Sequence, residues 1–140
     1  MRQEDKDLLI QDLCARLPYG VKIKTSYNKM DEPIELRFVN PRNESFAIGS
    51  NFTLISGLDF DTYECKPYLF PLSSMTEEQI EEAKTYFWKD VDYGKNLVDK
   101  GINCFYPCFN ILEFYHKYHI DYRGLIPMGL AIDCTNLNIY

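Results

Sequence analysis

The chain has 140 residues and a formal net charge of −6, and 15% of its residues are aromatic, most of them tyrosine. This is the length of a single domain with a real hydrophobic core. The acidic charge argues against sequence-independent binding of DNA or RNA, because a negative surface repels phosphate. No apolar run approaches the ~20 residues of a membrane span, and the polar start MRQEDKDLL is unlike a signal peptide.

The number of cysteines indicates the cellular compartment in which the protein resides. Five cysteines, an odd number without an export signal, indicate reduced thiols rather than a disulfide framework. A cytoplasmic location is therefore predicted. The chain also lacks a phosphate loop, a dinucleotide-binding glycine pattern, a nucleophile elbow and an HExxH motif, so no cofactor is expected.

The first 20 residues predict an amphipathic helix. Leu9, Leu13 and Leu17 recur on one helical face, and Pro18 and Gly20 end the pattern.

From residue 21 to residue 72 the apolar period changes to two, which predicts half-buried strands separated by polar turns. Val21 and Ile23, for example, alternate with lysines. Five short strands of this kind indicate a small antiparallel β-meander or an SH3-like barrel. The predicted strands cover residues 21–27, 34–38, 45–48, 52–56 and 63–70.

A proline-flanked segment marks the end of the β region. Pro67 and Pro71 keep the apolar run between them extended, since each proline lacks a backbone N–H and disfavours a helix before it. Thr76 is then a typical helix N-cap, and Gln79 stands where a capping box needs its second member. The sequence therefore predicts a change from strands to helices at this point.

Residues 73–140 form the predicted helical region, with two or three helices and a short extended segment near the end. One helix begins at Thr76, and another begins at Pro107 and runs to about Tyr118. Leu130–Cys134 is the final extended piece. Together these patterns predict one α+β domain over residues 1–140.

A cysteine–histidine pattern is the best candidate for metal or nucleophilic chemistry. Cys104 and Cys108 are followed by His116 and His119, which are suitable ligands for zinc. The spacing is unlike that of known zinc sites, however. The alternative is a buried cysteine with two histidines at a helix C-terminus, where a cation complements the helix dipole.

A second candidate site would bind an anion. Tyr122 and Arg123, followed by a glycine, can stack on a planar group and fork onto a phosphate or carboxylate. Lys66 and Tyr68 are further candidate contacts. The alternative, favoured by the position in a turn, is an internal pair between Arg123 and Asp121.

Segments near both ends and in the middle of the chain resemble a family of short uncharacterised proteins of gut anaerobes and of their phages and mobile elements. The resemblance implies a cytoplasmic accessory protein from a phage or integrated element, and it implies no activity. It rests on LCARLPYGVK at 13–22, KPYLFPLSSMTEEQ at 66–79, DYRGLI at 121–126 and GLAI at 129–132.

Three functional hypotheses follow. The leading one is a non-enzymatic accessory binding protein that engages a host or phage protein through a strand edge or a tyrosine-rich face, with a homodimer as a further option. The second is an anti-defence protein that binds an anionic nucleotide. The third is a metal- or cysteine-dependent hydrolase.

Overall fold

The computed structural model describes residues 1–29, 31–50, 52–84 and 109–140 of the chain. It has a mixed α+β architecture, in which an N-terminal helix and a C-terminal helix accompany a seven-stranded sheet. The predicted α+β class is confirmed.

The first helix, α1, covers Gln3–Arg16, and Leu9 and Leu13 of the predicted apolar stripe are buried, whereas Leu17 lies just after the helix and is half-buried. Leu13, for example, is fully buried in the main core. Because Pro18 cannot donate a helical hydrogen bond, α1 gives way to a 3₁₀ turn over Leu17–Tyr19. That turn ends at Gly20, whose φ of +70° suits glycine.

The strands form where the sequence has an apolar period of two. Their bounds are β1 Lys22–Thr25, β2 Ile34–Asn40, β3 Ser45–Ser50, β4 Thr53–Asp59, β5 Cys65–Pro71, β6 Ile120–Asp121 and β7 Ile132–Asp133. β1 to β4 lie side by side in chain order, each antiparallel to the next. β5 pairs antiparallel with the other edge of β1, so β4 and β6 stand at opposite ends of the strand order.

β5 joins the C-terminal segment to the sheet. Its first three residues pair with β1, and the rest pairs in parallel with the short strands β7 and β6. The Phe70 N–H donates to the His119 carbonyl at 2.8 Å, and the Leu69 carbonyl accepts the Cys134 N–H at 2.9 Å. Segments distant in the chain are thus held against one strand.

The change from strands to helices occurs where the sequence predicts it. The Thr76 N–H donates to Gln79 Oε1 at 3.0 Å, and the Gln79 N–H donates to Thr76 Oγ1 at 3.2 Å, which is a complete capping box. Residues 77–84 continue as a helix, α2. A further helix, α3, covers Phe109–Lys117; the predicted helix start at Pro107 lies outside the described residues.

Two apolar clusters hold these elements together. The main core lies between α1 and β1–β4, with Leu13, Ile23 and Phe46 among its members. The second cluster is smaller and joins β5 to the C-terminal segment through Leu69 and Leu125, both fully buried. The second cluster therefore positions residues 120–131, where the candidate site lies.

Candidate functional site

A buried ion pair lies at the C-terminal end of α1. Asp12 and Arg16 are one helical turn apart, and both side chains are fully buried. Arg16 Nε donates to Asp12 Oδ2 at 2.6 Å, and Nη2 donates to the Ile120 carbonyl at 2.8 Å. Within the described part of the chain, Nη1 has no hydrogen-bond partner. Removing such charges from water is costly, and the attraction between them offsets this cost only when the contact is short and well oriented.

A second arginine, Arg123 of the C-terminal segment, also approaches the Asp12 carboxylate. Its Nε lies 3.2 Å from Asp12 Oδ1, outside hydrogen-bond geometry, and donates to the Tyr122 hydroxyl at 3.2 Å. Asp12 therefore stands between two guanidinium groups. The predicted pair between Arg123 and Asp121 is wrong: both Asp121 oxygens accept backbone N–H groups, from Leu125 and Ile126, at 2.8 Å.

Tyr122 connects Arg123 to His116. The Tyr122 hydroxyl lies 2.9 Å from His116 Nε2. Because that hydroxyl already accepts a hydrogen bond from Arg123, its own proton can go to Nε2 of a neutral imidazole. Burial, assisted by the charge of Arg16, lowers the pKa of His116. We call Asp12, Arg16, His116, Tyr122 and Arg123 the arginine cluster.

Burial favours the neutral form of His119 as well. Its ring is stacked on Tyr140, with centroids 3.6 Å apart, and its Nδ1 is buried without a partner in the described structure. Burial, with Arg16 and Lys22 nearby, lowers the pKa of His119 to about 4. His116 lies in the last turn of α3 and His119 two residues beyond its end, as predicted, and burial lowers the pKa of both and so favours their neutral form.

The depressed pKa of His119 predicts loss of stability in acid. The unfolded chain takes up a proton near pH 6.5 and the native imidazole only near pH 4, so stability present above pH 6.5 falls as the pH drops through this window. We expect a loss of up to about 2 kcal/mol, after allowance for solvent screening. In His119→Phe, which keeps an aromatic ring against Tyr140, this part of the acid sensitivity should disappear.

Urea unfolding of both proteins at intervals between pH 7 and pH 4 measures the effect. His119 has a φ of +56°, which phenylalanine tolerates less well, but that cost is the same at every pH. The difference between the two pH profiles therefore isolates the titration. Parallel profiles would contradict the prediction.

Beside the arginine cluster lies a cleft of about 510 Å³, which we call the Arg123 cleft. It is bounded by the end of β5 and the turn that follows it on one side, and by residues 121–127 on the other. Its side walls are apolar, and its polar groups include one cation and one acid. Its lining includes Pro71, Leu72, Ser73, Asp121, Arg123, Ile126 and Pro127.

The four residues predicted to bind an anion do not all line one site. Tyr122 and Arg123 lie together at the Arg123 cleft, whereas Lys66 pairs with Glu64 at 2.7 Å. Tyr68 is buried in β5, and its burial raises its pKa. Its carbonyl accepts the Tyr140 hydroxyl at 2.9 Å.

Only half of the predicted metal set is described. His116 and His119 have the contacts given above, and Cys104 and Cys108 lie outside the described residues. No group of three or more possible metal ligands occurs within residues 1–29, 31–50, 52–84 and 109–140.

A second surface lies at the far end of the sheet. β4 is the terminal strand among those that the structure describes, and Thr53 to Leu58 carry no charge. Phe52 is 97% exposed, Leu54 63% and Phe38 54%. In the register, Phe38 is opposite Ala47 and Leu54 is opposite Gly49, two residues further along β3, so both side chains stand on one face. We call β4 with Phe38, Phe52 and Leu54 the β4 edge surface.

Among the described helices none is long and apolar enough to cross a bilayer. Comparison with protein-family models, with curated proteins and with solved structures found no match to this chain.

Proposed function

We propose that the protein is a non-enzymatic accessory binding protein that takes up an extended segment of a partner protein along the β4 edge surface. The observation that carries this proposal is a terminal strand whose residues 53–58 carry no charge and which lies close to exposed apolar side chains. Terminal strands usually carry charges or prolines that discourage pairing, because their free N–H and C=O groups would otherwise recruit another strand. Here that protection is missing from Thr53 to Leu58.

The expected mode of binding is strand addition. Main-chain hydrogen bonds to β4 would supply affinity, and alternate side chains of the segment would pack beside Leu54. A bulge at residues 56–57 limits regular pairing to the first part of β4, so the segment should be short. A second copy of the chain would bring two bulges together, which favours a regular segment of another protein. The resemblance to proteins of phages and mobile elements supports a host or phage protein as the partner.

The test uses random peptides displayed on phage and selected on the immobilised protein. Peptides that bind should lose at least about tenfold in affinity for Leu54→Lys, because a lysine on the edge disfavours strand pairing. Leu54 is 63% exposed, so the substitution leaves the core intact. Leu137→Lys is the matched control, since Leu137 is 50% exposed and lies in the C-terminal segment. Hydrogen exchange should show peptide-dependent protection of amides in residues 53–56.

Two results would contradict the proposal. In the first, the selected peptides bind Leu54→Lys as well as the original protein, or protect amides elsewhere. In the second, light scattering shows a dimer that Leu54→Lys converts to a monomer, which would assign the edge to a second copy of the chain.

A further inference from the structure

We infer that the Arg123 cleft binds a carboxylate attached to a small apolar body. This site lies at the β6 end of the strand order, whereas the β4 edge surface lies at the other end, so the inference is independent of the proposed function. It rests on the free edge of one guanidinium, the local charge and the apolar walls of the cleft.

Arg123 has donors to spare. Its Nε faces Asp12 and Tyr122, and neither terminal nitrogen has a hydrogen-bond partner among the described residues. The side chain is 23% exposed, so it is held in place by the cluster and still reachable from the cleft. A guanidinium fixed in this way can present two parallel N–H groups, which match the two oxygens of a carboxylate. The contacts to Asp12 and Tyr122 therefore preorganise Arg123 for a ligand.

The charges near the cleft favour a ligand with a single negative charge. Asp12 is shared between Arg16 and Arg123, which leaves that group of three with one net positive charge. Asp121 also lines the cleft, and its oxygens are occupied by backbone N–H groups. One carboxylate would balance the free guanidinium, whereas a second negative charge would be repelled by Asp121. A carboxylate therefore fits better than a phosphate dianion.

The apolar walls of the Arg123 cleft indicate what kind of group should be attached to the carboxylate. Leu72, Ile126 and two prolines supply apolar surface, and Ser73 adds one hydroxyl. The volume of about 510 Å³ lies within the range of small-ligand sites. The ring of Tyr122 is stacked on Tyr115, with centroids 5.3 Å apart, and both guanidinium groups also lie close to it. Tyr122 is thus occupied by its neighbours, and an aliphatic group suits the cleft better than a stacked base.

The experiment titrates N-acetyl-leucine into the full ¹⁵N-labelled chain and follows amide chemical shifts. We expect saturable shifts around Ser73 and Gly124, with a Kd on the order of 1 mM for a ligand of this size. The amide analogue, N-acetyl-leucinamide, should bind at least about tenfold more weakly, because the charge-assisted hydrogen bonds are lost. Inorganic phosphate should not displace the acid.

Two variants locate the site. Arg123→Gln should weaken binding about tenfold or more, while Arg37→Gln, at an exposed arginine of β2, should not. Because Arg123→Gln can also disturb the cluster, Leu72→Glu is the second variant. Leu72 is 47% exposed, and a negative charge there should repel the acid without affecting the core. Leu137→Glu serves as its control.

An acetylated peptide ending in leucine separates the two sources of such a ligand. Tighter binding of the peptide than of N-acetyl-leucine would identify the C-terminus of a protein, and equal binding would identify a free small acid. The inference is overturned if acid and amide bind equally, if phosphate binds more tightly than the acid, if shifts at the cleft are absent, or if neither variant weakens binding.

Discussion

Replacing Arg16 with methionine is expected to lower the free energy of unfolding by about 3 to 5 kcal/mol. The substitution leaves the Asp12 carboxylate fully buried, with Arg123 as its remaining cationic neighbour, 3.2 Å away and outside hydrogen-bond geometry. The Ile120 carbonyl also loses the N–H that it accepts from Arg16. A buried charge without its partner is far more costly than the pair itself. Urea unfolding followed by circular dichroism, at pH 7, measures the change.

The double substitution Asp12→Leu with Arg16→Met tests the cause. If the loss comes from the orphaned carboxylate, removing both charges should recover a large part of it. Arg37→Met is the control for arginine at an exposed site, and it should change stability by less than about 1 kcal/mol. A double variant less stable than Arg16→Met would contradict this explanation. If Arg16→Met does not fold, Asp12→Asn supplies the same comparison with the charge removed from the other side.

The strands and the first helix could be predicted because their signals are local. An apolar period of two is set by the alternation of side chains across a strand, and it gives β1 to β5 to within a few residues. The capping box of Thr76 and Gln79 needs only four consecutive residues. β6 has no such signal, since it consists of two residues that are held by pairing with Phe70, some fifty positions earlier in the chain.

The arginine cluster could not be predicted for the same reason. Asp12 and Arg16 have the spacing of an exposed helical ion pair, and nothing nearby in the sequence indicates that they are buried. Their burial depends on Ile120 and Arg123, more than one hundred residues later. Tyr122 and Arg123 were recognisable as chemically suitable residues, but the partner of Arg123 depends on how the C-terminal segment packs on α1.

Exposed apolar residues also have no local signature. Phe38 and Leu54 stand in strands whose alternation predicts one buried and one exposed side, and a strand pattern alone does not say that an apolar residue will face solvent. The bulge between Leu36 and Phe38 contributes, because it changes the side to which the following residue points. The exposure of Phe38 is thus linked to an irregular register, which the sequence does not reveal.

Gly49→Ala should strongly destabilise the sheet, because it adds a side-chain carbon where β3 and β4 approach closely. A Cβ at this position would overlap the Thr53 carbonyl oxygen and lie 3.1 Å from Leu54 Cα, both of them backbone atoms of the neighbouring strand. Since neither atom can move without moving β4, we expect a loss of about 3 kcal/mol in stability. Peptide binding at the β4 edge surface should weaken as well, because the strand that carries it is displaced.

Gly57→Ala is the matched control, because it separates steric overlap from backbone conformation. Gly57 lies in the same hairpin with a φ of +76°, and a Cβ there would meet no atom within 4 Å. Its cost should be that of a left-handed alanine, about 1 to 2 kcal/mol. Gly49 does not have a positive φ, so a larger loss at Gly49 than at Gly57 assigns the effect to the close approach of β3 and β4. Equal losses, measured by urea unfolding, would mean that β4 can shift away from β3 at little cost.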